Sequence, residues 1–186
     1  MEFLYTAFDT FDKDYNTERI SWSRYIEWTK MTHLSELVTL DGGLSEQLVK
    51  IDYNKAKDWD NIHFVEQIQT NLFKTLEYVL KSSIPKDKFN LLTVVIRPTH
   101  ACNKLEVEDY EFVGYELLDK DFCNSLLTNF GGFDHIFLPT DLNDKGLIDD
   151  FSKVYEIKER LLENNPDGHF SDGNVIAVWR HKTIGR

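Results

Sequence analysis

The stretch "EFVGYELLDKDFCNSLLTNFGGFDHIF" (residues 111–137) gathers a thiol, Cys123, a glycine pair, Gly131 and Gly132, and an imidazole, His135. A cysteine nucleophile needs a base, a cation or a helix N-terminus to stabilise its thiolate. Asp119 and Asp121 sit beside Cys123 instead, and two carboxylates oppose that ionisation. The expected role of Cys123 is therefore packing. A glycine pair between apolar runs reads as a tight turn. A phosphate-cradling loop would open onto a helix through a lysine or serine, whereas Phe133 and Asp134 follow here. The stretch is expected to run strand, turn, short strand.

Two further groups carry metal-binding side chains. "HAC" holds His100 and Cys102, and "DGHFSDG" holds His169 and Asp172. Neither has the close pair spacing of zinc ligands, though the four could meet in a dispersed site. A calcium loop counted from Asp167 puts His169 third and Val178 twelfth, where oxygen ligands are required. No catalytic residue, metal ligand or cofactor is assigned. A hydrolase or metal-dependent enzyme built on a dispersed His/Asp site is the alternative reading.

The elements that would position these groups follow from periodicity. Ile20, Tyr25, Ile26 and Trp28 recur at helical spacing and predict a helix over residues 17–32, then a short helix or turn at 34–40 ended by "DGG". Ile62, Val65, Ile68, Leu72, Leu76, Val79 and Leu80 step by three or four, which predicts one central packing helix stopped by Pro85. Strands are expected at residues 90–98, 111–119, 133–139 and 174–181, with the second of them central. Phe151, Val154, Ile157 and Leu161 mark another amphipathic helix, with Asp149 and Asp150 at its positive end. Helices early and strands late predict an α+β fold, an antiparallel or mixed central sheet of about four to six strands packed against amphipathic helices. The 186 residues fit a single domain.

Charge narrows the partners. The net charge is −11, and residues 101–173 alone hold 17 acidic and 6 basic side chains. Such a surface repels nucleic acid and speeds encounter with a basic protein. No apolar run reaches membrane-spanning length, and "MEFLYTAFDTFDKD" lacks the basic flank and apolar core of a secretion signal. With two cysteines and no disulfide framework, a cytoplasmic setting is expected. Aromatic rings crowd the first third, and Trp59 in "KAKDWDN", among polar neighbours, is the one picked out for an interface.

"WSRYIEWTKMTHLSELVTLDGGL" (residues 22–44) and residues 111–137, followed by "NDKGLI" and a closing "VIAVWRH", resemble a family of uncharacterised bacterial proteins. Its members combine a "W..LTELVSLD"-like segment with a "GYDL.D....SALTNCGGFP"-like one, and the likeness spans residues 21–181. The resemblance implies no activity and no catalytic residues. Where the family pattern has a cysteine before the glycine pair, this chain has Phe130.

The reading that joins these observations is a protein-binding module. By analogy with other small acidic bacterial proteins, its sharpest form is an immunity-type protein that occludes a basic toxin. Its expected partner-binding residues are Asp119, Asp121, Asp134, Asp141, Asp144 and Trp59. A homodimeric structural domain is the remaining alternative.

Overall fold

The computed structural model describes residues 1–15, 20–52, 54–63, 70–128, 136–164, 166–168 and 171–186, without the side chains of residues 56 and 57. Eight strands and four α-helices are present among them: β1 (Leu4–Asp9), β2 (Phe11–Asp12), α1 (Trp22–Thr29), β3 (Glu36–Leu37), α2 (Ala56–Trp59), β4 (Ile62–His63), β5 (Leu72–Phe73), α3 (Leu76–Ser82), β6 (Phe89–Ile96), β7 (Tyr110–Leu118), α4 (Phe151–Asn164) and β8 (Asn174–His181). Six strands form one antiparallel sheet in the order β4-β5-β1-β6-β8-β7, and β2 pairs with β3 in a small second sheet. The α+β class with a central sheet is what the sequence predicts.

The middle of the sheet is apolar on both faces because both faces are covered. On β6 and β8 alternate residues divide between two clusters. Val95, Val175, Ala177 and Trp179 pack with Val154, Ile157 and Leu161 of α4, while Leu92, Val94, Ile176 and Val178 pack with Leu4, Phe8, Val38 and Leu40. A third cluster places Val79 of α3 on Ala7, Phe73 and Leu91. Thr93, buried in mid-strand, donates its hydroxyl to Leu4 O at 3.0 Å, so its burial leaves no polar group unmet.

Several expectations are corrected. The central helix over residues 61–83 is replaced by β4, β5 and the short α3; Phe64, Val65 and Ile68 lie outside the described residues. Leu72 and Phe73 take opposite sides of the sheet, one among Leu4 and Phe8 and the other beside Val79, so their spacing only imitates a helical stripe. Thr75 then caps α3, its side chain accepting from Tyr78 N at 3.4 Å. Residues 36–37, inside the short helix or turn expected at 34–40, form a strand. At "DGG", neither Gly42 nor Gly43 has a positive φ; the Asp41 carboxylate accepting from Gly43 N at 2.8 Å makes the turn. α1 is shorter than predicted, capped by Ser21 and closed by left-handed Lys30 (φ 61°), with residues 17–19 outside the description. Within residues 136–139 there is no strand, while 133–135 and the Gly131–Gly132 turn are not described. β1 was not expected at all, yet it lies between β5 and β6.

β7 is an edge strand, not a central one; it reads as apolar on both sides because Tyr115 and Leu117 pack in one cluster and Val113 and Leu118 in the other, while its free edge is closed by other backbone. Tyr115 N donates to Ile148 O at 2.7 Å and Leu126 N to Leu117 O at 2.8 Å. A bulge between Phe112 and Gly114 admits the 143–148 segment. Gly114 has φ 138°, and a Cβ there would lie 2.6 Å from that of Leu147.

Candidate functional site

The two blocks that carry the family resemblance meet at one buried carboxylate pair. β7 delivers Glu116, the lone charged residue of its segment 112–118, into full burial. Beyond β7, Asp119 folds the chain back. Its Oδ1 accepts from Cys123 N at 2.8 Å, and its Oδ2 accepts from Asn124 N and Nδ2 at 3.2 and 2.8 Å. This turn returns Ser125 alongside Leu118. The Ser125 hydroxyl donates to Glu116 Oε1 at 2.5 Å and accepts from the backbone N–H groups of Leu127 and Thr128.

From the other block, β3 leads through Thr39 and Leu40 to Asp41. Leu40 N donates to Glu116 Oε2 at 3.3 Å. Asp41 Oδ2 accepts from Ser125 N at 3.0 Å and from the Thr128 hydroxyl at 2.9 Å. Tyr25 of α1 donates its hydroxyl to Thr128 O at 3.5 Å, and its ring meets Trp28 edge-on with centroids 6.2 Å apart.

Burial is the main cause that pushes the Glu116 carboxyl up to about 7, with Asp41 adding repulsion against the hydrogen bonds from Ser125, Thr39 and Leu40 N. Burial, then Glu116 and Asp41, hold the Tyr25 phenol well above its usual range. The Cys123 thiol is likewise pushed up, by burial first and then by Asp119, Asp41 and Asp121. That is the opposite of what a thiolate nucleophile requires, so the packing role read from the sequence fits this environment. Ser125 is fully buried with its hydroxyl already bonded, which leaves it unable to reach a substrate.

Above this network lies a depression of about 380 Å³ lined by Trp28, Asp41, Leu44, Asn124, Ser125 and Thr128. Trp28 is 53% exposed. A carboxylate offers about four lone-pair sites. Asp41 uses three of them, on Gly43 N, Ser125 N and Thr128, so it retains capacity for one more donor. An exposed indole and a carboxylate lining one depression are groups that could together take an ammonium or guanidinium.

The residues expected to meet a partner are scattered by the fold. Asp119 is fully buried and shapes its own turn, so it offers nothing to a partner; that expectation is corrected. Asp121 is half-buried in the same turn. Asp141 accepts from Leu138 N at 2.7 Å and pairs with Lys153 at 3.6 Å. Asp144 is exposed, and Lys145 beside it holds its carboxyl below the usual range. Asp134 lies outside the described residues. Trp59 is 42% exposed but precedes β4, at the opposite edge of the sheet from β7. Of the dispersed metal set, Cys102 is buried with its thiol directed at His100 O (3.4 Å), and His169 is not described. Among the described residues no group of three or more His, Cys, Asp or Glu side chains is placed to hold a metal ion, and no helix is long and apolar enough to cross a membrane.

Trp28, Asp41, Glu116, Ser125 and Thr128 are absent from the sequence-derived set. One signal for them was present, the isolated Glu116 within "FVGYELL". No protein-family model, curated protein or solved structure matches the chain.

Proposed function

We propose that the protein is a binding module that occludes a basic partner protein, anchored at the depression that Trp28 and Asp41 both line. The observation that carries this reading is the exposed indole at the mouth of a depression walled by a carboxylate. A lysine or arginine of the partner would lie on the Trp28 face and donate to Asp41, a cation–π contact of roughly 0.5–2 kcal/mol depending on desolvation. The remaining acidic surface, Asp141 and Asp144 included, steers encounter. In its sharpest form the partner is a basic toxin and the occlusion is immunity.

Affinity capture from the native host at low and high salt, with wild type and Trp28→Ala in parallel, tests this. A basic protein held by wild type at low salt, partly released by salt and lost on Trp28→Ala, is the expected result. Equal capture by Trp28→Ala would remove the anchor. Absence of any specific capture would remove the binding-module reading.

A further inference from the structure

A second depression, of about 410 Å³, opens at the far end of β6 and is lined by Arg97, His63, Thr99, His100, Ile96 and Pro98, with Glu2 as its acidic member. In a chain of net charge −11 this hollow gathers an arginine and two histidines around a single carboxylate. We propose that it binds the phosphate group of a small organic phosphate, independently of the partner surface at Trp28.

The argument rests on how Arg97 is held. Its φ of 48° is left-handed, a conformation non-glycine residues seldom adopt and one that concentrates at functional positions. The backbone is fixed there by Arg97 N donating to Val175 O at 2.8 Å. Its Nε donates to Asn174 Oδ1 at 2.6 Å, and the buried Asn174 is itself anchored by donating to Asp119 O at 3.0 Å. One side of the guanidinium is therefore engaged, while neither Nη has a hydrogen-bond or ion-pair partner among the described residues. That leaves a planar fork, the geometry that recognises phosphate oxygens in pairs.

The turn carrying the other donors is also fixed. Tyr155 of α4 donates to Pro98 O at 2.6 Å, and Cys102 N donates to Tyr115 Oη at 2.6 Å. Thr99 and His100 are consequently presented on a braced loop, with His63 reaching the same hollow from β4. His63 stands 3.8 Å from Glu2, the one carboxylate in the hollow's lining. The Thr99 hydroxyl and His100 Nδ1, 3.3 Å apart, share one hydrogen bond; the guanidinium fork and the remaining imidazole nitrogens still outnumber the two oxygens of the Glu2 carboxylate and suit the three terminal oxygens of a phosphate. Ile96 and Pro98 add an apolar wall, and the volume is in the range of small-molecule sites. An organic body beside the phosphate fits that wall. The acidic surface elsewhere is screened over roughly 8–10 Å at ordinary ionic strength, so local cations decide binding here.

Titration calorimetry with phenyl phosphate and with inorganic phosphate, paired with NMR of the histidine ring protons, tests the site. The expected result is saturable binding of phenyl phosphate, tighter than inorganic phosphate, with His63 and His100 resonances shifting together. Arg97→Asn suits the left-handed backbone and should weaken phenyl phosphate binding about tenfold or more. His100→Ala, at an exposed position, should weaken it less without affecting folding. Failure to saturate in the millimolar range, or equal affinity in Arg97→Asn, would overturn the site. Equal affinity for inorganic phosphate would overturn the organic part of the assignment.

Discussion

Ionising Glu116 puts a second negative charge into a buried network that already holds Asp41, and the pH dependence of stability follows from that. In the unfolded chain the carboxyl loses its proton near its ordinary value of 4.5, whereas in the native state it keeps it to about 7. Between those values the native state binds more protons than the unfolded one. Stability therefore falls as pH rises through this window, by at most about 1.4 kcal/mol per pH unit, and levels off above it. Glu116→Gln removes the titration while keeping an acceptor for the Ser125 hydroxyl. The new amide N–H₂ faces Leu40 N–H in place of Oε2, which offsets part of the gain. The variant is expected to be more stable than wild type at pH 8 by about 1 kcal/mol and to lack the slope between pH 4.5 and 7. Urea midpoints across that range measure both. Parallel wild-type and variant curves would mean that Glu116 is ionised in the native state throughout.

β2 and β3 are two residues each, too short to hold a sheet by themselves, and the element that fixes them is Arg180 of β8. Arg180 is 3% exposed; its guanidinium reaches Glu36 of β3 at 2.7 Å, Glu111 of β7 at 3.3 Å and Asn90 of β6 at 3.4 Å, and Glu111 in turn pairs with Arg186. Removing one side of such a buried pair strands the other. Arg180→Ala is expected to cost about 3–5 kcal/mol in denaturant unfolding. Glu36→Ala, whose carboxylate is more exposed, should cost less but speed hydrogen exchange at the Phe11 and Leu37 amides. If those amides are unaffected, the salt bridge does not hold the β2–β3 pair. The same scale explains what the sequence could tell. β6, β7, β8 and α4 are legible because each is long enough for its period to exceed chance, and burial on both faces marks the strands as continuous apolar runs. The region 61–83 fails because a two-residue strand and a seven-residue helix joined by a capping threonine reproduce a helical spacing. β1 escapes because Thr6 and Ala7 interrupt its apolar alternation, and its burial comes from pairing with both β5 and β6 and from packing on both faces. The carboxylate cluster was illegible for a different reason. Asp41 and Glu116 are brought together by backbone pairings remote in sequence, which no local pattern encodes.

For the whole molecule, the proposed occlusion of a basic partner would give charge and shape separate tasks at separate residues, and kinetics can tell them apart. An acidic surface acts at long range, before contact, so it changes how often a partner arrives. An aromatic anchor acts only on contact, so it changes how long the partner stays. Asp144 is exposed and Asp141 half-buried, both on the segment that follows Leu138, while Trp28 stands on α1 over the Asp41 depression. With the captured basic partner immobilised, charge reversal at Asp141 and Asp144 should slow association several-fold at low salt, with the difference shrinking as salt is raised. Dissociation should be little changed. Trp28→Ala should leave association nearly unchanged and speed dissociation by about tenfold, the effect of losing one central contact of 1–2 kcal/mol. Asp119 supplies the internal control, because a buried carboxylate that builds its own turn affects folding before it affects encounter. Asp119→Asn should therefore lower stability and leave the association rate of the folded fraction intact. If reversal at Asp141 and Asp144 altered only dissociation, those carboxylates would be contacts rather than steering charges, and the anchor would have to be sought beside them instead of at Trp28.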